Sequence, residues 1–100
     1  MRVLITEIYR DWINGIRDRT TRARIQMRVD RLVHGNPGRH RALSDGVSEL
    51  KLDFGPGYRV YYIERRGELI IVLAGGNKST QRQDIRTAIA IAKSFQERDT

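Results

Sequence analysis

The sequence predicts an α+β domain, in which an antiparallel sheet is joined by an N-terminal helical hairpin and a C-terminal helix. The predicted order of elements is β-α-α-β-β-β-α. Apolar residues follow a helical period over the first third of the chain, alternate with a period of two from position 49, and return to a helical period after position 79. The 100 residues contain no repeat or linker, which predicts a single domain over residues 1–100.

The first third predicts one strand and two helices. The strand covers Arg2–Ile5, the first helix ends near Asp18, and the second helix covers Thr21–His34, where a glycine and an Asn-Pro-Gly sequence end it. The apolar positions of the two helices are Ile8, Tyr9, Trp12, Ile13 and Ile16, and then Ile25, Val29, Leu32 and Val33. A short connection between two such helices predicts a helical hairpin, which we expect on one side of the sheet with the last helix.

The second half predicts three strands. In Glu49–Phe54 apolar and polar residues alternate, a Gly-Pro-Gly turn follows, and Tyr58–Glu64 is rich in aromatic and β-branched residues. Leu69–Ala74 is apolar throughout, which predicts a central strand covered on both faces.

The last helix is predicted to begin at Ser79 or Thr80, after the residues Gly75-Gly76-Asn77-Lys78 end the third strand. The sequence from Thr80 to Gln83 fits a capping box. The apolar positions of this helix are Ile85, Ala88, Ile89, Ala92 and Phe95.

The composition restricts the classes of function. The chain has no Cys and two His, which argues against disulfides, a Cys-ligated zinc ion and a multi-His metal site. Its longest apolar run has six residues, and the N-terminus becomes acidic at Glu7, unlike a secretory signal. We therefore expect a cytoplasmic protein with no cofactor and no membrane partner.

The net charge of +7 points to a polyanionic partner, either a nucleic acid or an acidic protein. Sixteen of the 19 basic residues are arginine, whose planar fork suits phosphate. Arg24, Arg28 and Arg31 lie on one side of the second helix, and Arg22 adds to the charge there. This side of the helix is predicted to bind RNA phosphates, although a solvated helix face is the alternative.

A second group of polar residues is predicted on the sheet. If the Gly-Pro-Gly turn holds its two strands in register, Arg59 lies near Lys51 and Glu49 on an exposed concave surface. A cross-strand ion pair without a functional role is the alternative. Tyr61 shares a face with Arg59, where its ring can stack on a base, and Lys78 is expected at the same end of the sheet.

Two segments resemble a known family. They are residues 43–62, with the motif Asp-Phe-Gly-Pro-Gly-Tyr-Arg-Val-Tyr, and residues 73–85, with the motif Gly-Gly-Asn-Lys-Ser. Both are similar to the "addiction module killer" toxins, the HigB-like branch of the RelE/ParE toxin superfamily, and the resemblance covers nearly the whole chain. It implies a toxin that cleaves mRNA on the ribosome and is encoded beside a helix-turn-helix antitoxin, through which alone it contacts DNA.

The resemblance also implies roles for single residues. Arg59 matches the arginine that RelE-type enzymes direct at the scissile phosphate, while Lys51 and Lys78 match basic positions of their active site. The chain departs from the pattern at Ile85, where those enzymes have a tyrosine, and at Glu49, where they have a second strand lysine. Glu49 or a neutral Lys51 is expected to accept the proton of the ribose 2′-OH.

Two alternatives remain open at this stage. One is a ParE-like inhibitor of DNA gyrase, which acts by binding and performs no chemistry. The other is a degenerate member that pairs with its antitoxin and has no activity of its own.

Overall fold

The computed structural model describes residues 1–98, so that the last two residues of the predicted 1–100 domain lie outside the described part. Five strands and three helices occur within residues 1–98, and they confirm the predicted α+β class. They are β1 (Arg2–Ile5), α1 (Glu7–Gly15), α2 (Arg19–Val33), β2 (His40–Ala42), β3 (Ser48–Lys51), β4 (Arg59–Arg65), β5 (Leu69–Gly76) and α3 (Gln81–Arg98). None of these helices is long and apolar enough to cross a lipid bilayer.

The five strands form one sheet in the order β1-β5-β4-β3-β2. The strands β2 to β5 are antiparallel neighbours, whereas β1 returns to the far side of β5 and pairs with it in parallel. Sequence analysis missed β2, because its three residues are all exposed and show no apolar alternation.

The helices cover both faces of the sheet, and the prediction that they share one side is wrong. The α1–α2 hairpin packs on one face, around Tyr9, Ile25, Leu50, Val60 and Val72. On the opposite face α3 places Ala88 and Ala92 against Tyr61, Ile71 and Leu73. The continuous apolar run of β5 already requires this arrangement, because a strand without a polar face must be buried on both sides.

A bulge in β5 shifts the end of that strand. Tyr61 pairs with Ala74 and Tyr62 pairs with Val72, so that Leu73 is an extra residue in β5. Leu73 and Ala74 consequently both belong to the core under α3. Of the two glycines that follow, Gly75 lies against Trp12 of α1, and Gly76 lies against Asp84 of α3 on the other face of the sheet.

Side chains at the helix starts bind backbone N–H groups. The Thr6 hydroxyl accepts from the N–H of Tyr9 at 3.0 Å, and Asp18 accepts from the N–H of Thr21 at 3.2 Å. The hydrogen bonds from Thr21 hold the pKa of the exposed Asp18 carboxyl below its usual value. At α3 the predicted capping box is wrong, because the Thr80 hydroxyl donates to Asp84 instead.

Close packing at Gly75 gives a test of the fold. We expect Gly75→Ala to lower the free energy of unfolding by about 1–3 kcal/mol, because its methyl group would overlap the indole of Trp12. Gly15→Ala is the matched control, since a methyl group there meets no atom within 4 Å, and it should be neutral or slightly stabilising. Urea unfolding followed by circular dichroism measures both, and equal stabilities would contradict the packing described here.

Candidate functional site

Three of the predicted site residues meet at one end of the sheet. Lys51 and Arg59 lie directly opposite each other in the β3–β4 ladder, and Arg59 also faces Gly76 on β5. Lys78 follows two residues after β5, and its backbone N–H donates to the carbonyl oxygen of Pro56 at 3.3 Å. We call Lys51, Arg59 and Lys78 the basic cluster. Sequence analysis correctly predicted the register that places Lys51 beside Arg59.

The guanidinium of Arg59 is held by the turn that precedes β4. Its Nη1 donates to the carbonyl oxygens of Gly57 at 2.7 Å and Tyr58 at 3.3 Å. The side chain is 12% exposed, so it is much less accessible than the open surface that the sequence predicted. Its Nε is buried, lies 3.9 Å from Oε1 of Glu49, and has no hydrogen-bond partner in the described structure. The charge of Arg59 is therefore fixed in position.

Glu49 is completely buried, and the prediction of an exposed carboxylate is wrong. Its Oε1 accepts from Nε of Arg41 at 2.9 Å, and its Oε2 accepts from the amide of Gln81 at 2.9 Å. Both oxygens are thus occupied by hydrogen bonds from protein side chains. This geometry suits a residue that positions its neighbours better than one that takes a proton from a substrate.

Sequence analysis missed Arg41 and Gln81, the two donors to Glu49. Arg41 pairs with Glu49 across the β2–β3 ladder, and β2 has no pattern by which its register can be predicted. Gln81 is the first residue of α3 and reaches Glu49 across 32 positions of sequence. The two glycines that end β5 do indicate that the start of α3 can approach the end of the sheet, because a Cβ atom at Gly76 would overlap the side chains of Thr80 and Asp84.

Tyr61 lies beside Glu49 in the β3–β4 ladder, but its ring is inaccessible. The prediction that it stacks on a base is therefore wrong for this conformation, because α3 covers the face on which Tyr61 lies. Burial raises the pKa of the Tyr61 hydroxyl, and the carboxylates of Glu49 and Asp84 raise it further.

The arginines of α2 divide into two kinds. Arg28 donates to the carbonyl oxygens of Pro37, Arg39 and Lys51 at 3.0, 3.1 and 2.9 Å, so three of its five N–H donors are bound within the fold. Arg28 also lines the depression described below, and its role as a phosphate ligand stays a prediction. Burial and the nearby charge of Arg31 lower the pKa of Arg28.

Arg22 likewise serves the fold, since it donates to the carbonyl oxygen of Ile16 at 3.0 Å and ties α2 to the preceding connection. Arg24 and Arg31 remain exposed and line a depression of about 370 Å³ between α2 and the end of β3. The guanidinium of Arg24 lies 3.8 Å from the centre of the Phe54 ring. Phosphate binding by Arg24 and Arg31 stays a prediction.

A family comparison assigns the chain. The model of the family described as phage-derived protein Gp49-like matches residues 11–96. The chain belongs to this family. It is also 38% identical to an uncharacterized protein of Haemophilus influenzae Rd over 95 residues, which cover 95% of this chain and 96% of the relative.

The Gp49-like family is in general a RelE/ParE-like toxin family, whose members are commonly toxins of toxin–antitoxin modules. The matched range contains the basic cluster, Glu49 and all of α2. No group of three His, Cys, Asp or Glu side chains suited to a metal ion occurs in the part of this Gp49-like chain that the structure describes. His34 and His40 are exposed.

Proposed function

We propose that this Gp49-like chain is a HigB-like toxin of a type II toxin–antitoxin module, and that it cleaves mRNA on the ribosome. The observation that carries the proposal is Arg59, a fixed guanidinium with Lys51 directly opposite and Lys78 at the same end of the sheet. The toxin character of the family in general and the net charge of +7 also support it.

The proposed reaction uses a nucleophile that RNA itself carries. The 2′-oxygen of the ribose attacks the adjacent phosphorus, and the new O2′–P bond forms as the 2′-OH gives up its proton. The bond from phosphorus to the 5′-oxygen breaks, and the leaving oxygen takes up a proton from water. The products are a 2′,3′-cyclic phosphate and a 5′-hydroxyl. Arg59, helped by Lys78, stabilises the negative charge that accumulates on the phosphate oxygens, an effect of about 3–4 kcal/mol for one well-placed donor.

The two carboxylate oxygens of Glu49 are buried and occupied, so we assign this residue a positioning role beside Arg59. We assign the role of proton acceptor for the 2′-OH to Lys51, which lies directly opposite Arg59. The ribosome holds the 2′-oxygen in line with the leaving oxygen, because correct alignment alone contributes a large part of the rate. Free toxin should therefore cut isolated RNA slowly.

The proposed partners follow from the same function. They are the ribosome and mRNA, for which Arg24 and Arg31 offer exposed guanidinium groups, and a helix-turn-helix antitoxin, through which alone the toxin contacts DNA. The proposed compartment is the cytoplasm, where ribosomes and mRNA meet.

The ends of the RNA products test the proposed chemistry. Purified toxin is incubated with ribosomes that carry a defined message, and we expect a 2′,3′-cyclic or 3′-phosphate upstream and a 5′-hydroxyl downstream. A message with a 2′-deoxy nucleotide at the cleavage position should remain intact, since it lacks the nucleophile. A 5′-phosphate product, or cutting of the deoxy message, would contradict the mechanism. Inhibition of gyrase supercoiling with intact RNA would instead favour the ParE-like alternative.

A further inference from the structure

A second group of arginines lies at the other end of the sheet. Arg2, Arg65 and Arg66 line a shallow depression of about 340 Å³ together with Glu68 and Leu69. Three arginines and one glutamate give this lining a formal charge of +2. Because β4 runs from Arg59 to Arg65, the depression lies roughly 20 Å from Arg59, given a rise of about 3.3 Å per strand residue.

The backbone at Arg66 is unusual for an arginine. A β-turn joins β4 to β5, and the N–H of Glu68 closes it by donating to the carbonyl oxygen of Arg65 at 2.9 Å. The central residues Arg66 and Gly67 have φ angles of 54° and 67°, a geometry that favours Asn-Gly. The other non-glycine residue with a positive φ among residues 1–98 is Asp45, whose side chain type tolerates this conformation.

Local contacts do not account for arginine at position 66. Among the side chains that the structure describes, neither Arg2 nor Arg66 has a carboxylate within 4.0 Å. Arg65 is placed differently, with its guanidinium 6.0 Å from the centre of the Phe95 ring. Arg2 and Arg66 thus line the same depression without an ion pair within 4.0 Å in the described part of the chain, and Arg66 occupies a backbone conformation that disfavours it.

We propose that Arg2 and Arg66 form a binding site for the phosphates of an RNA backbone, beside Arg65 and remote from the basic cluster. The inference rests on the proposed function only in taking RNA as the polyanion. Guanidinium groups pair with phosphate oxygens through two parallel hydrogen bonds. A protein partner fits less well, because interfaces depend on apolar and aromatic anchors and this depression offers only the half-buried Leu69.

The site should govern how tightly RNA binds and leave the position of cleavage unchanged, because phosphate contacts carry no sequence information. Fluorescence anisotropy with a short fluorescein-labelled RNA hairpin, at several KCl concentrations and without ribosomes, measures this directly. We expect Arg66→Asn to weaken binding several-fold and to reduce the slope of log K against log salt by roughly 0.7–0.9, the value for one lost phosphate contact. Arg2→Gln, which removes the arginine that β1 contributes to the same site, should also weaken RNA binding and reduce the slope.

Arg10→Gln is the control, since it removes one positive charge from an exposed position of α1 outside the depression. Asparagine adopts a positive φ readily, so Arg66→Asn should melt no lower than the natural sequence. The proposal would be overturned if Arg66→Asn left the RNA affinity and the salt slope unchanged. It would also be overturned if Arg10→Gln lost as much affinity as Arg66→Asn, because the net charge of the protein alone would then explain the effect. A protein that does not cleave RNA but still shows the Arg66-dependent slope would refute the proposed function and support this site.

Discussion

Replacement of Arg59 by alanine is expected to abolish growth inhibition and to slow RNA cleavage by about a hundredfold to a thousandfold. The reason is that the Arg59 guanidinium is held in position by hydrogen bonds to the carbonyl oxygens of Gly57 and Tyr58. A donor that is fixed before the reaction stabilises developing charge without any cost of reorganisation, and removal of one such donor has effects of this size. Single-turnover cleavage of a ribosome-bound message measures the rate.

Stability must be measured beside activity, because the Arg59 side chain is mostly buried. Glu49 keeps its bonds from Arg41 and Gln81 when Arg59 is removed, so Arg59→Ala should still fold. Arg59→Lys retains the charge but loses the planar fork, and should recover part of the activity. Arg39→Ala is a control of equal size on the surface, where its ion pair with Asp53 contributes at most about 1 kcal/mol. Full toxicity of a folded Arg59→Ala protein would contradict the proposed site.

The strand pattern of the sequence was sufficient to predict which residues share a face, and the basic cluster follows from it. The turn between β3 and β4 contains Gly55 and Gly57, both with a positive φ, and this turn sets the pairing of Lys51 with Arg59. Glycine at such positions is a local signal, so the register can be predicted without knowledge of the tertiary structure.

The helix that packs on each face of the sheet could not be predicted from the strand pattern. Glu49 and Tyr61 do lie on one face with Arg59, yet both are buried because α3 packs against that face. Alternation along a strand distinguishes two faces but does not identify the element that packs on either of them. The bonds that Arg28 makes to three carbonyl oxygens could not be predicted for a similar reason, since backbone carbonyl groups that accept from a side chain have no signature in a sequence.

Glu49 gives the prediction with the largest effect on stability. Glu49→Ala should lower the free energy of unfolding by about 3 kcal/mol, because it leaves the Gln81 amide and the Arg41 guanidinium without their acceptor. It also removes the carboxylate that lies 3.9 Å from the buried Nε of Arg59. In a domain of this size the melting temperature should fall by more than about 10 °C. The control is Asp53→Asn, which removes a carboxylate that is 67% exposed and should change the melting temperature little.

The variant Glu49→Gln separates a positioning role from a role in proton transfer. Glutamine keeps the shape of the side chain and one oxygen acceptor, so the protein should fold and bind RNA, but it holds Arg59 less firmly. We therefore expect kcat to fall by about tenfold with little change in KM, and the pH profile to keep its shape, because the proposed proton acceptor is Lys51. If a folded Glu49→Gln protein binds RNA normally and is as inactive as Arg59→Ala, Glu49 acts directly on the substrate, and α3 must then move to expose it.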